Sequence, residues 1–426
     1  MPKIPTPLTV LLGKTVREAA KLRGGGSALP GLFVETIDKD FIRNCLSQLP
    51  KGVVLISGTN GKTTTTKMVV ELLESQGLRV FTNRTGSNFT RGIAAALLGE
   101  VTASGKLSAD IAVLELDEAH AVHFVKTVQP KHTLLLNVMR DQLDRFGEID
   151  ATAKLLQTVA EHTTDTIVIN REDPRLLTVA SQLPSNKVHY FGLASHLRGE
   201  FPSDDDMRGT DTKTMNLPVA VSTLEAVNDH TAKFLIHRQP YEATLKLEGI
   251  YNIFNAAAAL GFVATILGNS TNMSSLMHKL ESITPAFGRG EKLIVNDQPL
   301  ELVLVKNPGG FRLGLRSFPA QGYATMIAIN DNYADGRDMS WLWDVEFESL
   351  KEAGVATVSG VRAYDMALRL QYDEIEIALV EPSLPQALKQ FIKEHPNTPK
   401  RIYCSYTAML NLRRELAKIT EVKVIS

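Results

Sequence analysis

Short apolar runs recur along the first half of the chain, and stretches with helical spacing separate them. Residues 52–57 form an apolar run of the kind found in strands that are buried on both faces of a parallel sheet. Similar runs follow at residues 111–114, 133–136 and 166–169. Because strands alternate with helices, the pattern predicts a doubly wound α/β sheet.

The pattern changes in the second half of the chain. Residues 219–247 alternate between apolar and polar as β-hairpins do, and residues 252–267 form an alanine-rich helical segment. A further hairpin is predicted where two apolar runs flank residues 296–299. Three apolar runs then alternate with helical stretches, at residues 324–329, 355–358 and 376–380. This part predicts a second, smaller α/β domain of Rossmann-like type.

We predict an N-terminal helical segment with its linker at residues 1–48, a central domain at 49–290 and a C-terminal domain at 291–426. The N-terminal segment has an apolar run at residues 8–12, which is too short for a signal-peptide core or a membrane span. Apolar residues continue at helical spacing among basic ones, so an amphipathic helix is expected. We expect this helix to pack on the body of the protein; the alternative is that it rests on an anionic membrane surface.

Composition and charge narrow the class of protein. The chain of 426 residues is 44% hydrophobic and 22% charged, which fits a globular protein of two or three domains. Its formal net charge of −1 offers no broad basic surface, which argues against a nucleic-acid partner. Cys45 and Cys404, the two cysteines, lack CxxC spacing and indicate a reducing compartment. We therefore expect a cytoplasmic protein in which Cys404 is a buried structural thiol.

Residues 58–63 form a glycine loop between the first predicted strand and a predicted helix. Such a loop directs successive backbone N–H groups at a polyphosphate. Lys62 would supply positive charge for the β- and γ-phosphates of ATP, and the Thr63 hydroxyl would ligate Mg²⁺. We therefore predict an ATP site in which Lys62 is also catalytic. The predicted nucleotide-binding residues of this loop are Gly58, Thr59, Asn60, Gly61, Lys62, Thr63 and Thr64.

The form of the loop, Gly-Thr-Asn-Gly-Lys-Thr-Thr-Thr, resembles that of the Mur ligase superfamily, whose members join amino groups to carboxylates through acyl-phosphates. The resemblance implies a Mur-ligase-like central P-loop domain with a parallel sheet. It implies that Glu115, at the end of a predicted strand, is a Mg²⁺ ligand; a solvated strand end is the alternative. Asn255, in a Gly-x-x-Asn-x-x-Asn-Ala-Ala helix, is implied to contact adenine. Arg289, in a Gly-Arg motif, is counted with the nucleotide-binding residues.

Three places depart from the superfamily pattern. Residues 137–147 resemble its Asn…Asp-His-Leu-Asp segment, but Gln142 stands where a metal-binding His is usual, which leaves a second Mg²⁺ open. Lys154 lies near the place of a lysine that is often carbamylated, but its offset differs, so we interpret it as a surface lysine. Residues 306–309 replace an Asp-Tyr-Ala-His-x-Pro segment that helps to bind the incoming amino acid. This last difference indicates that the incoming nucleophile is not an ordinary amino acid.

A polar loop, residues 329–341, follows an apolar run and closely resembles the MurT family, the synthase subunits of lipid II isoglutaminyl synthases. Residues 358–363 and 405–408 resemble the same C-terminal domain. The resemblance implies that ATP phosphorylates the α-carboxylate of D-glutamate in lipid II. Ammonia then displaces the phosphate and gives D-isoglutamine. It also implies that Asp338 completes the Cys-His pair of a separate glutaminase subunit.

Neither cysteine of the chain lies in a nucleophile motif, so the chain lacks a glutaminase of its own. We therefore expect a heterodimer with a GatD-type class I glutamine amidotransferase subunit, with ATP and Mg²⁺ as cofactors and lipid II as substrate. Many MurT sequences have a four-cysteine zinc ribbon, whereas residues 190–235 contain no cysteine, so zinc is not expected.

Two other functions remain open. One is a stand-alone ligase, such as a folylpolyglutamate synthetase or a stem-peptide Mur ligase. The other is a non-catalytic ATP-binding scaffold. Peripheral contact with the inner face of the membrane also stays open for a cytoplasmic protein of this kind.

Overall fold

The computed structural model describes residues 6–22, 28–83, 90–141, 149–201, 217–228, 230–247, 249–284 and 289–422. These ranges hold two β-sheets, one of nine strands and one of six. The α/β class predicted from the apolar runs is therefore confirmed, with a parallel-rich sheet and a second sheet after it. The domain limits given above stay a prediction.

The strands of the large sheet are β1 (Val53–Ser57), β2 (Val80–Thr82), β3 (Ile111–Glu115), β4 (His132–Leu135), β5 (Thr166–Asn170), β6 (Val188–Leu193), β7 (Ser222–Asn228), β8 (Thr231–Ile236) and β9 (Gln239–Thr244). They are ordered β2-β3-β1-β4-β5-β6-β7-β8-β9. The strands from β2 to β7 pair in parallel, and β7, β8 and β9 form the predicted antiparallel hairpins. Because β1 lies between β3 and β4, the ends of both neighbours flank the loop that follows it.

Helices cover both faces of this sheet. Alternate residues of β1 enter two separate cores: Val54 and Ile56 pack with helices on one face, and Val53 and Leu55 with helices on the other. The helices are α1 (Thr6–Leu22), α2 (Ala28–Ile37), α3 (Phe41–Leu46), α4 (Lys62–Ser75), α5 (Thr90–Glu100), α6 (Glu118–Val125), α7 (Ile149–Glu161), α8 (Pro174–Ser181), α9 (Ile250–Leu267) and α10 (Met273–Ser282).

Helix α9 is the most apolar of these elements. With the turn after it, Ile250–Ser270, it is the one helix among the described residues that is long and apolar enough to cross a membrane. In the structure, 67% of its most apolar stretch is buried, and it packs against α4, β6 and β7. It therefore forms the core of the central part, and it confirms the helix predicted at residues 252–267.

The N-terminal helix packs on the body of the protein, as predicted. Val10 is fully buried, and a Cβ on Gly13 would lie within 3 Å of side-chain atoms of both Val34 and Leu98. Lys14 Nζ donates a hydrogen bond to the carbonyl of Val101 at 2.7 Å. Helices α1 and α2, which pack against each other, expose five leucines, which we call the leucine face: Leu8, Leu11, Leu12, Leu29 and Leu32.

The second sheet comprises β10 (Arg289–Val295), β11 (Gln298–Leu304), β12 (Ala324–Ala328), β13 (Val355–Ser359), β14 (Ile377–Glu381) and β15 (Lys400–Cys404). Their order is β10-β11-β15-β12-β13-β14, and all pairs are parallel except the β10–β11 hairpin. That hairpin turns at Asn296 and Asp297, both with positive φ, as the sequence predicted. The helices of this part are α11 (Pro308–Ser317), α12 (Ala363–Tyr372), α13 (Leu384–Glu394) and α14 (Tyr406–Leu416).

Polar contacts join the two parts of the molecule beside the loop that follows β1. The side-chain amides of Asn60 and Asn307 exchange two hydrogen bonds, at 3.3 and 3.2 Å. Arg140 forms an ion pair with Asp344 at 3.0 Å. Asn307 also caps α11, because its Oδ1 accepts a hydrogen bond from the N–H of Gly310. The start of α11 therefore faces the glycine loop.

Candidate active site

The phosphate loop, residues 58–63, lies between the end of β1 and the start of α4. Gly58 and Gly61 have φ angles of 130° and 87°, which residues with side chains rarely adopt. A Cβ on Gly61 would also lie 2.7 Å from Nδ2 of Asn255. The positive φ therefore favours glycine at residue 61, and a side chain there would also require Asn255 to shift. Asn255, predicted to contact adenine, lies against the loop, and its contact with a nucleotide stays a prediction.

Lys62 is the first residue of α4, and its exposure is only 4%. Its Nζ donates hydrogen bonds to the backbone oxygens of Gly58 and Thr59. The Oε2 atom of Glu118 lies 3.5 Å from the same nitrogen. The side chain is therefore folded back over the loop, and its contact with a phosphate stays a prediction.

Thr63 and Glu115 meet beside the loop. The Thr63 hydroxyl donates a hydrogen bond to Oε1 of Glu115 at 2.9 Å. The side-chain amide of Asn83 fixes the backbone of Glu115 with two hydrogen bonds, at 2.8 and 3.0 Å. A hydroxyl beside a carboxylate oxygen is a donor set that suits Mg²⁺. The two predicted metal ligands thus lie together, and their metal role stays a prediction.

Asn137, just beyond β4, holds the backbone of the phosphate loop with hydrogen bonds, and we call this contact the clamp. Its Oδ1 accepts a hydrogen bond from the N–H of Asn60 at 2.8 Å, and its Nδ2 donates to the Asn60 carbonyl at 3.0 Å. The N–H of Thr59 donates to the Asn137 carbonyl, and the Thr59 hydroxyl accepts from the N–H of Met139, both at 3.0 Å. Asn137 was not among the predicted site residues. The available signal was an amide side chain that follows an apolar run.

Asp173 anchors the segment that carries this clamp. One of its oxygens caps α8 by accepting from the N–H groups of Arg175 and Leu176. The other accepts from the N–H of Val138 at 2.6 Å. Burial raises the pKa of the Asp173 carboxyl to about 6, although these three hydrogen bonds act to lower it. The position of Asn137 therefore depends on a buried carboxyl group of the next strand's loop.

The remaining candidates of the central part have different placements. Thr64 is buried, and its hydroxyl has no hydrogen-bond partner in the part of the chain that the structure describes. Lys154 is exposed on α7, which confirms the prediction of a surface lysine. Gln142 and the side chain of Arg289 lie outside the described residues, so their predicted roles are untested.

Both cysteines are buried, which confirms the prediction for Cys404. Burial raises the pKa of the Cys45 thiol to about 12 and raises that of Cys404 as well, so neither forms a thiolate at neutral pH. Within the described ranges, no group of three or more His, Cys, Asp or Glu side chains could hold a metal ion. Residues 202–216 lie outside those ranges, and the expectation that zinc is absent stays a prediction.

The polar loop follows β12 in the second sheet and is held by two buried side chains. Oδ1 of Asn330 accepts a hydrogen bond from the N–H of Val361 at 3.0 Å. Asp335 accepts hydrogen bonds from the N–H of Thr407, at 2.7 Å, and from the Thr407 hydroxyl. These contacts bring together the three segments that resemble the MurT family in sequence.

Asp335 and Asp338 have different environments in this loop. Asp335 is only 2% exposed, and burial raises the pKa of its carboxyl. Asp338 is partly exposed, and its Oδ1 accepts a hydrogen bond from the N–H of Ser340 at 2.9 Å. Asp335 therefore holds the loop together, whereas Asp338 is open to a group from outside the chain. Its catalytic role stays a prediction.

An apolar surface lies beside the polar loop. Tyr364, Leu368 and Tyr372 share one side of α12 and are 69%, 54% and 75% exposed. Val361 precedes them at 63% exposure, and the Trp343 ring packs on Tyr372 with centroids 5.4 Å apart. We call these five residues the α12 face. A contiguous exposed apolar patch is typical of a protein–protein contact.

The two sheets and the phosphate loop define a class of protein, the Mur ligases. Residues 56–263 match the Mur ligase middle domain. MurF from Acinetobacter baumannii has the same fold, with a TM-score of 0.67 at 18% identity over 92% of this chain and 80% of that chain. MurF from Thermotoga maritima, solved in complex with ADP, matches with a TM-score of 0.61 at 17% identity, over 89% of this chain and 81% of that chain.

The C-terminal part narrows this class to one family. Residues 304–409 match the MurT ligase C-terminal domain. The chain is 30% identical to subunit MurT of the glutamine-hydrolyzing lipid II isoglutaminyl synthase of Streptococcus pneumoniae, over 97% of each sequence. The chain belongs to the MurT family, and the resemblance found in the polar loop is confirmed.

Proposed function

We propose that the protein is the ATP-dependent synthase subunit of a lipid II isoglutaminyl synthase. It would convert the α-carboxylate of D-glutamate in lipid II to the amide of D-isoglutamine, by way of an acyl-phosphate. The observation that carries the proposal is the presence of the phosphate loop and the MurT-type polar loop on one chain. The name of the S. pneumoniae relative supports this reaction, and the ADP bound to T. maritima MurF supports the use of ATP.

The nucleotide would place its phosphates at the N-terminus of α4, where backbone N–H groups and the helix dipole favour anions. Lys62 would turn from the loop carbonyls to the β- and γ-phosphates and neutralise charge during transfer to the carboxylate. Thr63 and Glu115 would hold Mg²⁺, which neutralises phosphate charge when bound. Asn255 and Arg289 are proposed as further contacts with the nucleotide.

Ammonia would come from a separate subunit of the GatD type. A glutaminase needs an activated thiolate, and both cysteines here are buried with raised pKa values. Asp338 would accept a hydrogen bond from the far side of the partner's catalytic His, fixing its tautomer and stabilising the imidazolium. The α12 face would dock that subunit, because it is exposed and adjoins the polar loop.

Reconstitution with a GatD-type subunit tests this function. We expect amidation of lipid II with ATP, Mg²⁺ and glutamine, read by mass spectrometry of the released muropeptide. Lys62→Ala should abolish amidation with either glutamine or ammonium chloride and leave the subunits associated. Asp338→Asn should abolish glutamine-dependent amidation and retain the reaction with ammonium chloride.

Other results would contradict the proposal. Full glutamine-dependent amidation by Asp338→Asn would exclude the role of Asp338. Ligation of an amino acid without a glutaminase subunit would instead indicate a stand-alone ligase. Absence of phosphate release with lipid II, ATP and ammonium chloride would indicate a non-catalytic scaffold.

We also propose that the leucine face rests on the inner surface of the membrane that holds lipid II. The buried side of α1 packs on the protein while its leucines stay exposed, so packing and membrane contact are compatible. Sedimentation with vesicles of anionic phospholipid tests this contact. Leu11→Asp combined with Leu32→Asp should abolish binding, whereas Val219→Asp, at an exposed valine outside both apolar faces, should retain it. Equal binding by all three proteins would contradict the proposal.

A further inference from the structure

Glu118 is a buried carboxylate behind the phosphate loop, and the predicted site does not use it. Its exposure is 2%, and Oε2 has no hydrogen-bond partner in the part of the chain that the structure describes. The positive group beside it is the ammonium of Lys62, 3.5 Å from Oε2. A buried carboxylate is strongly disfavoured without a nearby positive charge. Lys62 therefore neutralises Glu118 in the structure.

The local fold does not require a carboxylate at residue 118. Strand β3 ends at Glu115, and Asp117 caps α6 by accepting a hydrogen bond from the N–H of His120 at 2.9 Å. Glu118 is the first residue of α6, and the capping is already done by its neighbour. Its carboxylate is instead directed at Lys62, the residue before Thr63, whose hydroxyl bonds Glu115.

Nucleotide binding changes the balance of charge at this site. In the proposed site Lys62 would leave the loop carbonyls to reach a phosphate, and its ammonium would then no longer pair with Glu118. The buried carboxylate would be left near an incoming polyphosphate of the same sign. A second positive charge must then take the place of Lys62. The divalent ion that accompanies the nucleotide would lie at Thr63 and Glu115, close to this position.

We propose that Glu118 exchanges partners during nucleotide binding. It pairs with Lys62 in the empty loop, and it joins Glu115 in holding the magnesium ion of bound Mg-ATP, directly or through a coordinated water. The inference rests on the proposed use of Mg-ATP and adds a residue to that site. The exchange makes nucleotide binding dependent on the metal. Without the ion, the release of Lys62 leaves the negative charge of the buried Glu118 carboxylate without a positive partner.

Binding of AMP-PNP to the full chain tests this exchange. Calorimetry with Mg²⁺ and with EDTA measures the metal dependence, and Mn²⁺ electron paramagnetic resonance measures the ion itself. The wild type should bind AMP-PNP much more tightly with metal. In Glu118→Gln, the affinity for Mn²⁺ with AMP-PNP should fall by ~10- to 100-fold, as for other outer ligands of a metal site. Its affinity for metal-free AMP-PNP should stay equal or rise.

Two further variants separate the exchange from a purely structural ion pair. Glu118→Asp keeps the charge and should retain part of the Mn²⁺ affinity. Glu161→Gln, at an exposed position of α7, should match the wild type. Equal Mn²⁺ affinity in Glu118→Gln and wild type would overturn the exchange, as would an equal loss of affinity with and without metal. A wild type that binds no AMP-PNP under any condition would instead overturn the proposed use of ATP.

Discussion

Asn137 is a side chain on which the geometry of the phosphate loop depends, although it lies 77 positions away from Asn60 in the sequence. Its amide pairs with both backbone groups of Asn60. The sequence marked Asn137 only as the start of a segment that resembles the Mur ligases; its pairing with Asn60 could not be read from the sequence, because the contact depends on β1 and β4 being neighbours in the sheet. Lys62 and Thr63 were singled out by the local pattern of the loop, and Glu115 by the resemblance to the Mur ligases; the structure places Thr63 beside Glu115, and their metal role stays a prediction.

Asn137→Ala should loosen the phosphate loop. Two hydrogen bonds disappear and the buried polar groups of Asn60 lose their partner, so we expect a stability loss of about 2 kcal/mol and weaker nucleotide binding. Urea unfolding and calorimetry with AMP-PNP measure the two effects. Asn228→Ala, at an exposed strand end, should leave both unchanged. Unaltered nucleotide affinity in Asn137→Ala would show that the clamp is dispensable.

His132 makes the stability of the protein depend on pH. Burial lowers the pKa of this imidazole to about 4, and its Nδ1 has no hydrogen-bond partner among the described residues. The unfolded chain would take up a proton near pH 6.5, whereas the folded chain would not until about pH 4. The free energy of unfolding should therefore fall as the pH drops from about 6.5 to about 4, and stay level above that window.

His132→Leu tests this dependence. Between pH 7 and pH 4.5 the wild type should lose about 2 kcal/mol more stability than the variant, measured by urea unfolding. His278→Leu is the matched control, because the His278 side chain is 92% exposed, whereas His132 is buried. An identical loss in the wild type and His132→Leu would contradict the prediction.

At the scale of elements, the apolar runs predicted most strands, because a strand buried on both faces must be apolar along its length. Strand β15 was not predicted, since it begins with Lys400 and Arg401. Both charged side chains are buried, and Arg401 pairs with Glu301 at 2.5 Å. These charged residues break the apolar pattern of the strand, and the sequence does not show that Glu301, in a distant segment, neutralises Arg401. Strand β2 was missed for another reason, as it has only three residues.

The α12 face gives a prediction for the partner subunit. Tyr364→Asp combined with Tyr372→Asp should weaken association with the GatD-type subunit by more than ~30-fold, because exposed aromatic residues are frequent centres of binding energy. Calorimetry or analytical ultracentrifugation measures the association. Amidation with ammonium chloride should persist, since the phosphate loop is untouched. Ile419→Asp, at another exposed apolar side chain, should bind the partner normally. Equal binding by the double variant and Ile419→Asp would exclude the α12 face as the docking surface.

At the scale of the whole molecule, the two parts meet at the phosphate loop. Asn60 lies in the loop and Asn307 begins α11, so the loop and the second sheet are tied by two side-chain amides. Asn307 belongs to the segment that departs from the Mur ligase pattern. The sequence indicated that the chemistry of this segment differs, but the pairing with Asn60 required the fold.

Loss of the Asn60–Asn307 and Arg140–Asp344 contacts should let the two parts of the molecule move apart. Asn307→Asp retains a cap for α11 but cannot donate to Asn60, and Asp344→Asn removes the ion pair with Arg140. The double variant should show a larger radius of gyration by small-angle X-ray scattering without nucleotide. Asn272→Asp, which replaces another helix cap away from the contact, is the control. Identical scattering by the double variant and the wild type would show that other contacts hold the two parts.

The position of helix α9 in the chain has a consequence for biosynthesis. All nine strands of the large sheet precede it, as does α4, its neighbour in the core. Synthesis runs from the N-terminus, and domains generally fold as they leave the ribosome. This long apolar helix therefore emerges after the strands that it packs against. Chain order thus favours folding over capture of this helix by the membrane-insertion machinery.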